Sequence, residues 1–209
     1  MRIAVLALAS LSAAACLSSA ACATVGVEEP AFSLIREDGA FEIREYAPTI
    51  VAETTLAGEA VNARNSGFQP LADYIFAKDR KGGEIAMTAP VTQTQRQKIA
   101  MTAPVTQESS AAGWTIGFTM PAGYTMETLP APANPAVRLV QQPARRMAVV
   151  VFSGLAGDER MEAKRLELLD RIAKEGLSPV GEPVFAFYDP PWTLPFMRRN
   201  EVMIEVAAS

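Results

Sequence analysis

Alternation of apolar and polar residues along the chain predicts several β-strands. The clearest example runs from Trp114 to Met120, where apolar side chains stand at every second position with threonine or glycine between them. Partial alternation or unbroken apolar runs predict further strands over residues 41–46, 50–56, 147–152, 184–188 and 200–206. Pro48 separates the first two of these and indicates a sheet edge or a bulge.

Two segments between these strands have the residue spacing of helices. Residues 59–78 predict the first helix, although Gly67 and Pro70 interrupt it, and Pro70 would fit the first turn of a helix. Asp158 is suited to cap the second helix, and Gly176 is suited to end it. The predicted apolar face of this second helix carries Met161, Leu166, Leu169 and Ile172. Strand, helix and strands thus occur twice in the same order, which predicts an α+β fold with two similar halves.

A nine-residue segment occurs twice, letter for letter, at residues 85–93 and 99–107. Its apolar residues stand at alternate positions, so each copy can lay one apolar face on a core while its threonines and proline point away. The polar residues 94–98 predict a turn that joins the two copies in a hairpin. Because two copies are too few for a solenoid, we interpret them as a paired ribbon.

The first 23 residues predict an export signal rather than part of the fold. Arg2 precedes an uncharged, Ala/Leu-rich run over residues 3–17, which is shorter than the roughly 20 residues of a membrane-spanning helix. The small residues that follow fit two processing events, cleavage after Ala23 or lipidation of Cys22, and of these we favour Cys22. Both predict an exported protein, either soluble in the periplasm or anchored to the outer membrane as a lipoprotein, with residues 24–209 as a single domain.

The composition excludes several classes of function. The formal net charge is −4 and the pI is near 5.0, so there is no electrostatic reason to bind nucleic acid. The chain has no histidine, and both cysteines lie in the predicted export signal. Histidine-dependent catalytic triads, histidine-based zinc sites and a haem iron held by histidine are therefore excluded. Ser153 lacks the leading glycine of a nucleophile elbow, and we predict that the protein is not an enzyme.

Several motifs together resemble the SOUL haem-binding protein family. They are the Met-Thr-Ala-Pro-Val of the repeat, residues 67–76 (Gly-Phe-x-x-Leu-Ala-x-Tyr-Ile-Phe), Tyr188-Asp-Pro-Pro191 and Arg198-Arg-Asn-Glu-Val202. The resemblance extends from Phe32 to Val206. It implies a pseudo-twofold pair of βαββ units that form a twisted, barrel-like antiparallel sheet flanked by two helices, in agreement with the order of elements predicted above.

The same resemblance implies that the protein binds haem or another tetrapyrrole. In this family the suggested site is a hydrophobic cleft lined partly by the first helix, with basic side chains near the propionates. Arg64 would then pair with a propionate, while Phe68, Leu71 and Ile75 would contact the ring. Arg198 is a second basic candidate. The alternative for all of these residues is structural, because an apolar stripe on a helix is commonly core and a single arginine is commonly a solvated charge.

The absence of histidine leaves the iron without the ligand proposed in one branch of this family. Binding without an axial ligand, or ligation by methionine or tyrosine, remains. Met87 and Met101 stand at equivalent positions of the repeat, and their thioether groups are of a kind that ligates iron. Both also fit the apolar face of a strand as core residues. We expect non-covalent, weak haem binding.

Two other functions fit the sequence. The architecture also resembles the effector-binding domains of bacterial regulators, which suggests another small apolar ligand or a cationic amphiphile. An acidic pocket would favour that hypothesis, since haem propionates are anionic. A ligand-free scaffold of the cell envelope is the second alternative, and side chains that fill the cleft would favour it.

Overall fold

The computed structural model describes residues 27–57, 60–78, 80–95 and 113–207. Its strands are β1 (Phe32–Asp38), β2 (Phe41–Tyr46), β3 (Thr49–Ala57), β4 (Val91–Gln95), β5 (Gly113–Thr119), β6 (Arg138–Gln142), β7 (Arg145–Phe152), β8 (Pro179–Phe187) and β9 (Asn200–Val206). Its helices are α1 (Ala60–Ile75) and α2 (Asp158–Lys174). Neither of these helices combines the length and the apolar character needed to cross a membrane. The predicted export signal, including Cys22, lies outside the described residues.

The strand order, β1-β2-β7-β9-β8-β4-β5-β3-β6, has a pseudo-twofold centre between β8 and β4. The unit β3-α1-β4-β5 corresponds across this centre to the unit β7-α2-β8-β9. All paired strands are antiparallel. The predicted α+β fold with two βαββ units and two flanking helices is therefore confirmed. The twisted sheet does not close into a barrel, because β1 and β6 remain its edges.

The strand that precedes each unit in the chain pairs with the other unit. β2 leads into β3 through Ala47 and Pro48 alone, yet β2 pairs with β7 while β3 pairs with β5 and β6. In the same way β6 leads into β7 through residues 143–144 but pairs with β3. Pro48 thus lies in the link between exchanged strands and not at the bulge or edge that the sequence suggested. A link this short brings the two ends of the sheet close together.

Both helices cover the same face of the sheet. Phe185 on β8 packs beneath α2, and Ile116 on β5 packs beneath α1. Gln93 on β4 is the cross-strand partner of both residues, so all three side chains point to the helix side. A separate apolar cluster that includes Met147 and Met203 lies on the opposite face.

Helix α1 continues through the two residues that were expected to interrupt it. Pro70 lies in the helix interior, which corrects its predicted place in a first turn. Gly67 is required by close packing, because a Cβ atom there would lie 2.7 Å from Cγ1 of Ile116 and 3.0 Å from its Cβ. The glycine therefore sets how closely α1 approaches β5.

Helix α2 begins one residue earlier than a cap at Asp158 would require. Gly157 is the N-cap and makes no side-chain hydrogen bond, so Asp158 is the first helical residue, where its charge is favourable near the positive end of the helix dipole. Leu166, predicted to face the core, is exposed, and Leu168 is buried instead. Gly176 ends the helix as predicted, with φ at +67°, a conformation that favours glycine.

The predicted ribbon of two repeat copies is wrong for the first copy. β4 is hydrogen-bonded to β8 along one side and to β5 along the other, so its residues have no free edge for the second copy. Thr88 and Pro90 are buried instead of pointing away, because residues 28–31 cover this segment: the Ala89 amide donates to the Glu28 carbonyl at 3.0 Å. The second copy, with Met101, lies outside the described residues.

Candidate functional site

Charged and phenolic side chains fill the middle of the sheet face opposite the helices. Arg44 on β2 donates from its two terminal nitrogens to the two carboxylate oxygens of Glu201 on β9, at 2.9 and 3.0 Å. Arg199 and the hydroxyl of Tyr188 each donate to the same carboxylate at 2.8 Å. The Arg44 and Glu201 side chains are only 2% and 0% exposed. The protein's own side chains therefore occupy this surface.

The charges in this network determine its protonation. Burial alone would raise the pKa of Glu201, but the charges of Arg44 and Arg199, together with the hydrogen bonds from Arg44 and Tyr188, lower it from its ordinary value of 4.5. Burial and the Glu201 carboxylate both raise the pKa of Tyr188. At neutral pH Glu201 is therefore ionised and Tyr188 is a neutral donor. We assign this network to the stability of the fold.

Four residues of α1 were predicted to contact the ring or a propionate of a tetrapyrrole, and the structure places them in different surroundings. Leu71 and Ile75 are 0% and 1% exposed and lie in the core between α1 and the sheet, where they contribute no outer surface. Phe68 is partly exposed and packs edge-on against Phe118, with 5.3 Å between the ring centroids. Of this set, Phe68 and Arg64 reach the surface.

Arg64 lies at the boundary between the two units. Its guanidinium carbon stands 4.4 Å from the centroid of the Phe187 ring, at the end of β8. Its Nη1 atom is buried and has no hydrogen-bond partner among the described residues. Burial lowers the pKa of Arg64, the charge of Asp158 opposes this effect, and the positive charge of Arg198 adds to it. Arg64 and Arg198, both proposed from the sequence, are thus close enough to act on each other.

Arg198 organises the connection between β8 and β9, residues 188–199. Its Nε donates to the carbonyl of Thr193 at 2.8 Å, and its Nη2 donates to the carbonyl of Pro191. Because one guanidinium binds two carbonyl groups of the same connection, it holds the connection in its folded path. Arg198 therefore has a structural function in addition to its positive charge.

The same connection exposes four large apolar side chains that sequence reasoning missed as site residues. Trp192 is 82% exposed, Phe196 73% and Met197 63%, and more than half of Leu194 is also exposed. Together with Leu194 they form what we call the apolar patch. A signal for it is present in the sequence: large apolar residues stand among Pro190, Pro191 and Pro195, which prevent them from joining a strand or a helix core. Exposed apolar groups in this number mark interaction surfaces.

The methionines proposed as iron ligands are not part of this surface as described. Met87 is half-buried and packs against the core beneath α1. Met101 lies outside the described residues. Among the residues that the structure describes, no group of three or more acidic or cysteine side chains is arranged to hold a metal ion.

Known structures share this fold at low sequence identity. The C-terminal domain of EcmrR superposes with a TM-score of 0.60 at 12% identity, covering 81% of this chain and 98% of that domain. An uncharacterized conserved protein from Listeria innocua superposes with a TM-score of 0.54 at 14% identity, covering 80% of this chain and 92% of that one. A protein described as a hydrolase from the same organism gives 0.53 at 13% identity, covering 83% and 94%. At such identities these likenesses show the fold alone.

Sequence comparison identifies the family. No curated protein sequence matches the chain at a significant level. The family model for the SOUL heme-binding protein matches residues 27–205, which is most of the chain. The order of strands and helices and the pseudo-twofold pair of units are those that the motifs led us to expect. The chain belongs to the SOUL haem-binding protein family.

Proposed function

We propose that this protein binds haem or another tetrapyrrole on the surface formed by Arg64, Phe68 and the apolar patch. The observation that carries the proposal is the state of Arg64, whose Nη1 is buried without a partner among the described residues. A buried donor without a partner costs free energy, and a propionate oxygen that accepts from Nη1 would recover it with a charge-assisted hydrogen bond. Membership of a haem-binding family supports the same ligand class.

The apolar patch supplies the surface for the ring. Trp192 and Phe196 are exposed aromatic side chains, and flat aromatic groups gain both apolar burial and favourable ring contacts when they meet a planar macrocycle. Phe68, one turn after Arg64 on α1, would add a further partly exposed ring to this surface. Because these side chains are exposed in the free protein, ligand binding would remove their apolar area from water.

The charges favour binding of modest strength. Arg198 adds positive potential beside Arg64, which attracts a dianionic tetrapyrrole, whereas the Asp158 carboxylate opposes it. A bound haem would supply a redox-active iron, but the chain has no histidine to ligate it. The residues named here would hold the macrocycle by its ring and propionates, and we propose binding rather than catalysis.

We further propose that the protein is exported and acts in the periplasm or at the outer membrane. The N-terminal pattern of Arg2, the apolar run and Cys22 supports this location. Intact-mass analysis of the protein purified from a bacterial envelope tests it: an acylated chain beginning at Cys22 supports the lipoprotein form, and a chain beginning at Thr24 supports the soluble form. Retention of residues 1–23 in the mature protein contradicts export.

Titration with haem and with iron-free protoporphyrin IX tests the binding proposal. We expect saturable one-to-one binding of both ligands, followed by the Soret band and by quenching of Trp fluorescence, because neither the ring contacts nor the propionate contact requires iron. Trp192→Phe should remove most of the quenching, since Trp192 lies in the proposed surface, whereas Trp114 packs against the cores under the helices.

Arg64→Gln is the decisive variant, because it removes the positive charge and keeps a polar side chain. We expect it to weaken binding of both tetrapyrroles by about tenfold, the loss of one charge-assisted hydrogen bond. Arg138→Gln is the matched control, since Arg138 is an exposed arginine on the edge strand β6. Non-stoichiometric association that is the same in both variants would contradict the proposed site.

A further inference from the structure

A cavity of about 370 Å³ opens where the two ends of the sheet come together. Three segments form most of its wall: residues 28–31 before β1, residues 47–50 from the link after β2 into the start of β3, and residues 119–127 from the end of β5 onward. Neither Arg64 nor any residue of the apolar patch lines it. The cavity is therefore distinct from the surface proposed for a tetrapyrrole, and its volume is that of a site for a small molecule.

Hydrogen bonds hold the walls of this cavity in place. Glu28 accepts the Ala89 amide on its backbone carbonyl at 3.0 Å and the Ala122 amide on its carboxylate at 2.7 Å. The hydroxyl of Thr88 donates to the carbonyl of Thr119. The Ala47 amide donates to the Ala31 carbonyl at 3.3 Å, and the Met120 amide donates to the Ile50 carbonyl at 2.7 Å. The three wall segments are thus tied to one another, so a ligand would enter a site that already exists and would not have to order it.

Every charged side chain among the lining residues is a carboxylate, from Glu28, Glu29 and Glu127. Glu29 is neutralised by Arg199, at 3.0 Å. Within the described part of the chain, Glu28 and Glu127 form no ion pair. A hydrogen bond with the Thr125 side chain lowers the pKa of Glu127, so this exposed group is ionised at neutral pH. Glu28 and Glu127 therefore give the cavity negative charge that no arginine or lysine among the described residues offsets in an ion pair.

The remaining lining supplies an apolar and polarisable surface. Tyr124 offers an aromatic ring, and Met120, Met126 and Ile50 offer apolar side chains to the same space. An aromatic face beside carboxylates attracts a cation that also carries apolar groups. From this combination we infer that the cavity binds a small organic cation, an ammonium group on an apolar body. This inference does not depend on tetrapyrrole binding.

Two probe ions with the same apolar body and opposite charge test the inference. The purified full-length chain, labelled with ¹³C at its methionine methyl groups, is titrated with benzyltrimethylammonium and, separately, with phenylmethanesulfonate. We expect the cation to shift the methyl signals of Met120 and Met126 in a saturable manner, with no change at Met197 in the apolar patch. The anion should shift neither. Equal responses to both ions, no response to the cation, or a response confined to Met197 would overturn the inference.

A charge-removing variant then connects the binding to the carboxylates. Glu127 is exposed, so Glu127→Gln should fold normally and weaken binding of the cation by about two- to fivefold, the range for a single exposed charge. Glu159→Gln on α2, outside the cavity lining, should bind like the unchanged protein. If the two variants bind the cation with equal affinity, the carboxylate of Glu127 does not contribute to binding, which counts against the inference. Arg64→Gln separates the two sites, because it should leave binding of the cation unchanged whether or not the protein binds haem.

Discussion

Arg64 of the first unit stacks on Phe187 of the second, with 4.4 Å between the guanidinium carbon and the ring centroid. This contact joins α1 to the end of β8 across the pseudo-twofold centre. It places a positive charge where burial lowers the pKa of the group, and where one guanidinium nitrogen has no hydrogen-bond partner in the described structure. Such a charge is poorly placed for stability and well placed to receive an anion.

Arg64→Met should therefore leave the free energy of unfolding unchanged or raise it by about 1 kcal/mol. The variant loses a cation–π contact of about 0.5–1 kcal/mol but also removes a buried donor whose missing partner costs about 1–3 kcal/mol. Urea unfolding followed by circular dichroism measures the change, with Arg138→Met as the control. A loss of more than about 2 kcal/mol would show that Arg64 is retained for folding, and would weaken the case for a ligand there.

Glu201→Gln should destabilise the protein by about 3 kcal/mol or more. The substitution removes the carboxylate that Arg44 and Arg199 share, and leaves the nearly inaccessible Arg44 with Glu42 as its remaining partner charge. Chemical denaturation provides the measurement. Glu162→Gln, which breaks an exposed pair with Arg165 on α2, should cost less than about 1 kcal/mol. Similar losses for the two variants would contradict the assignment of the buried network to stability.

The contribution of Glu201 should disappear in acid. Its pKa is lowered in the folded state, so the unfolded chain takes up the proton first as the pH falls. The stabilisation is therefore complete above the ordinary value of 4.5 and is lost below it. We expect the difference in unfolding free energy between the unchanged protein and Glu201→Gln to be constant from about pH 7 to 5.5 and to shrink towards pH 3.5. A difference that grows on acidification would mean that burial keeps Glu201 protonated.

Periodicity and apolar runs predicted strands that have buried positions. β2 and β9 begin and end where the sequence predicts: β2 mixes buried and exposed positions, whereas β9 is buried along almost its whole length. β1 was missed because nearly all of its side chains are exposed, so its sequence has no apolar face. β6 was missed for a related reason, being a short strand at the other edge.

The site was harder to predict than the fold, because the periodicity that reveals helices and strands does not show which residues reach the surface or which distant residues meet. Spacing placed Leu71 and Ile75 on one stripe with Phe68, but only the packed structure separates core from surface along that stripe. Arg64 is partly buried because Phe187 from the other unit lies under it, a contact between residues far apart in the chain. Glu201 is a fully buried charged residue, and its partners come from β2 and from the connection between β8 and β9.

Gly67→Ala should lower stability even though alanine is the better helix former. Alanine would gain about 1 kcal/mol in helix propensity, but its Cβ would lie 2.7 Å from Ile116 Cγ1 within a packed core, and overpacking costs about 1–3 kcal/mol. We expect a net loss of about 1 kcal/mol in urea unfolding. Ser66→Ala, at an exposed neighbouring position, should be neutral or slightly stabilising.

A double-mutant cycle locates the cause of that loss. Ile116→Ala removes the atom that the new Cβ meets, so Gly67→Ala should cost less, or even stabilise, when Ile116 is already alanine. The single Ile116→Ala change is expected to cost about 2–5 kcal/mol by itself. Strictly additive effects would show that the loss at Gly67 does not come from contact with Ile116.

One copy of the repeat should be dispensable for the fold. Deleting residues 94–107 joins Gln93 to Glu108, and because the copies are identical, deleting residues 85–98 gives the same polypeptide. The strand β4 needs a single copy, since β8 and β5 already occupy both of its edges. The shortened chain supplies Glu108 and Ser109 at the positions that now pair with Thr115 and Trp114.

The deletion should change the free energy of unfolding by no more than about 1–2 kcal/mol. It removes the bond from the Thr94 hydroxyl to the Pro183 carbonyl, worth about 1 kcal/mol, and the shorter connection recovers a similar amount of loop-closure entropy. Circular dichroism and urea unfolding measure this change, and haem titration should give the unchanged affinity because Arg64 and the apolar patch are retained. If the shortened chain folds but no longer binds haem, the second copy contributes to the ligand surface. If the shortened chain fails to fold, the protein needs the second copy for more than the strand β4.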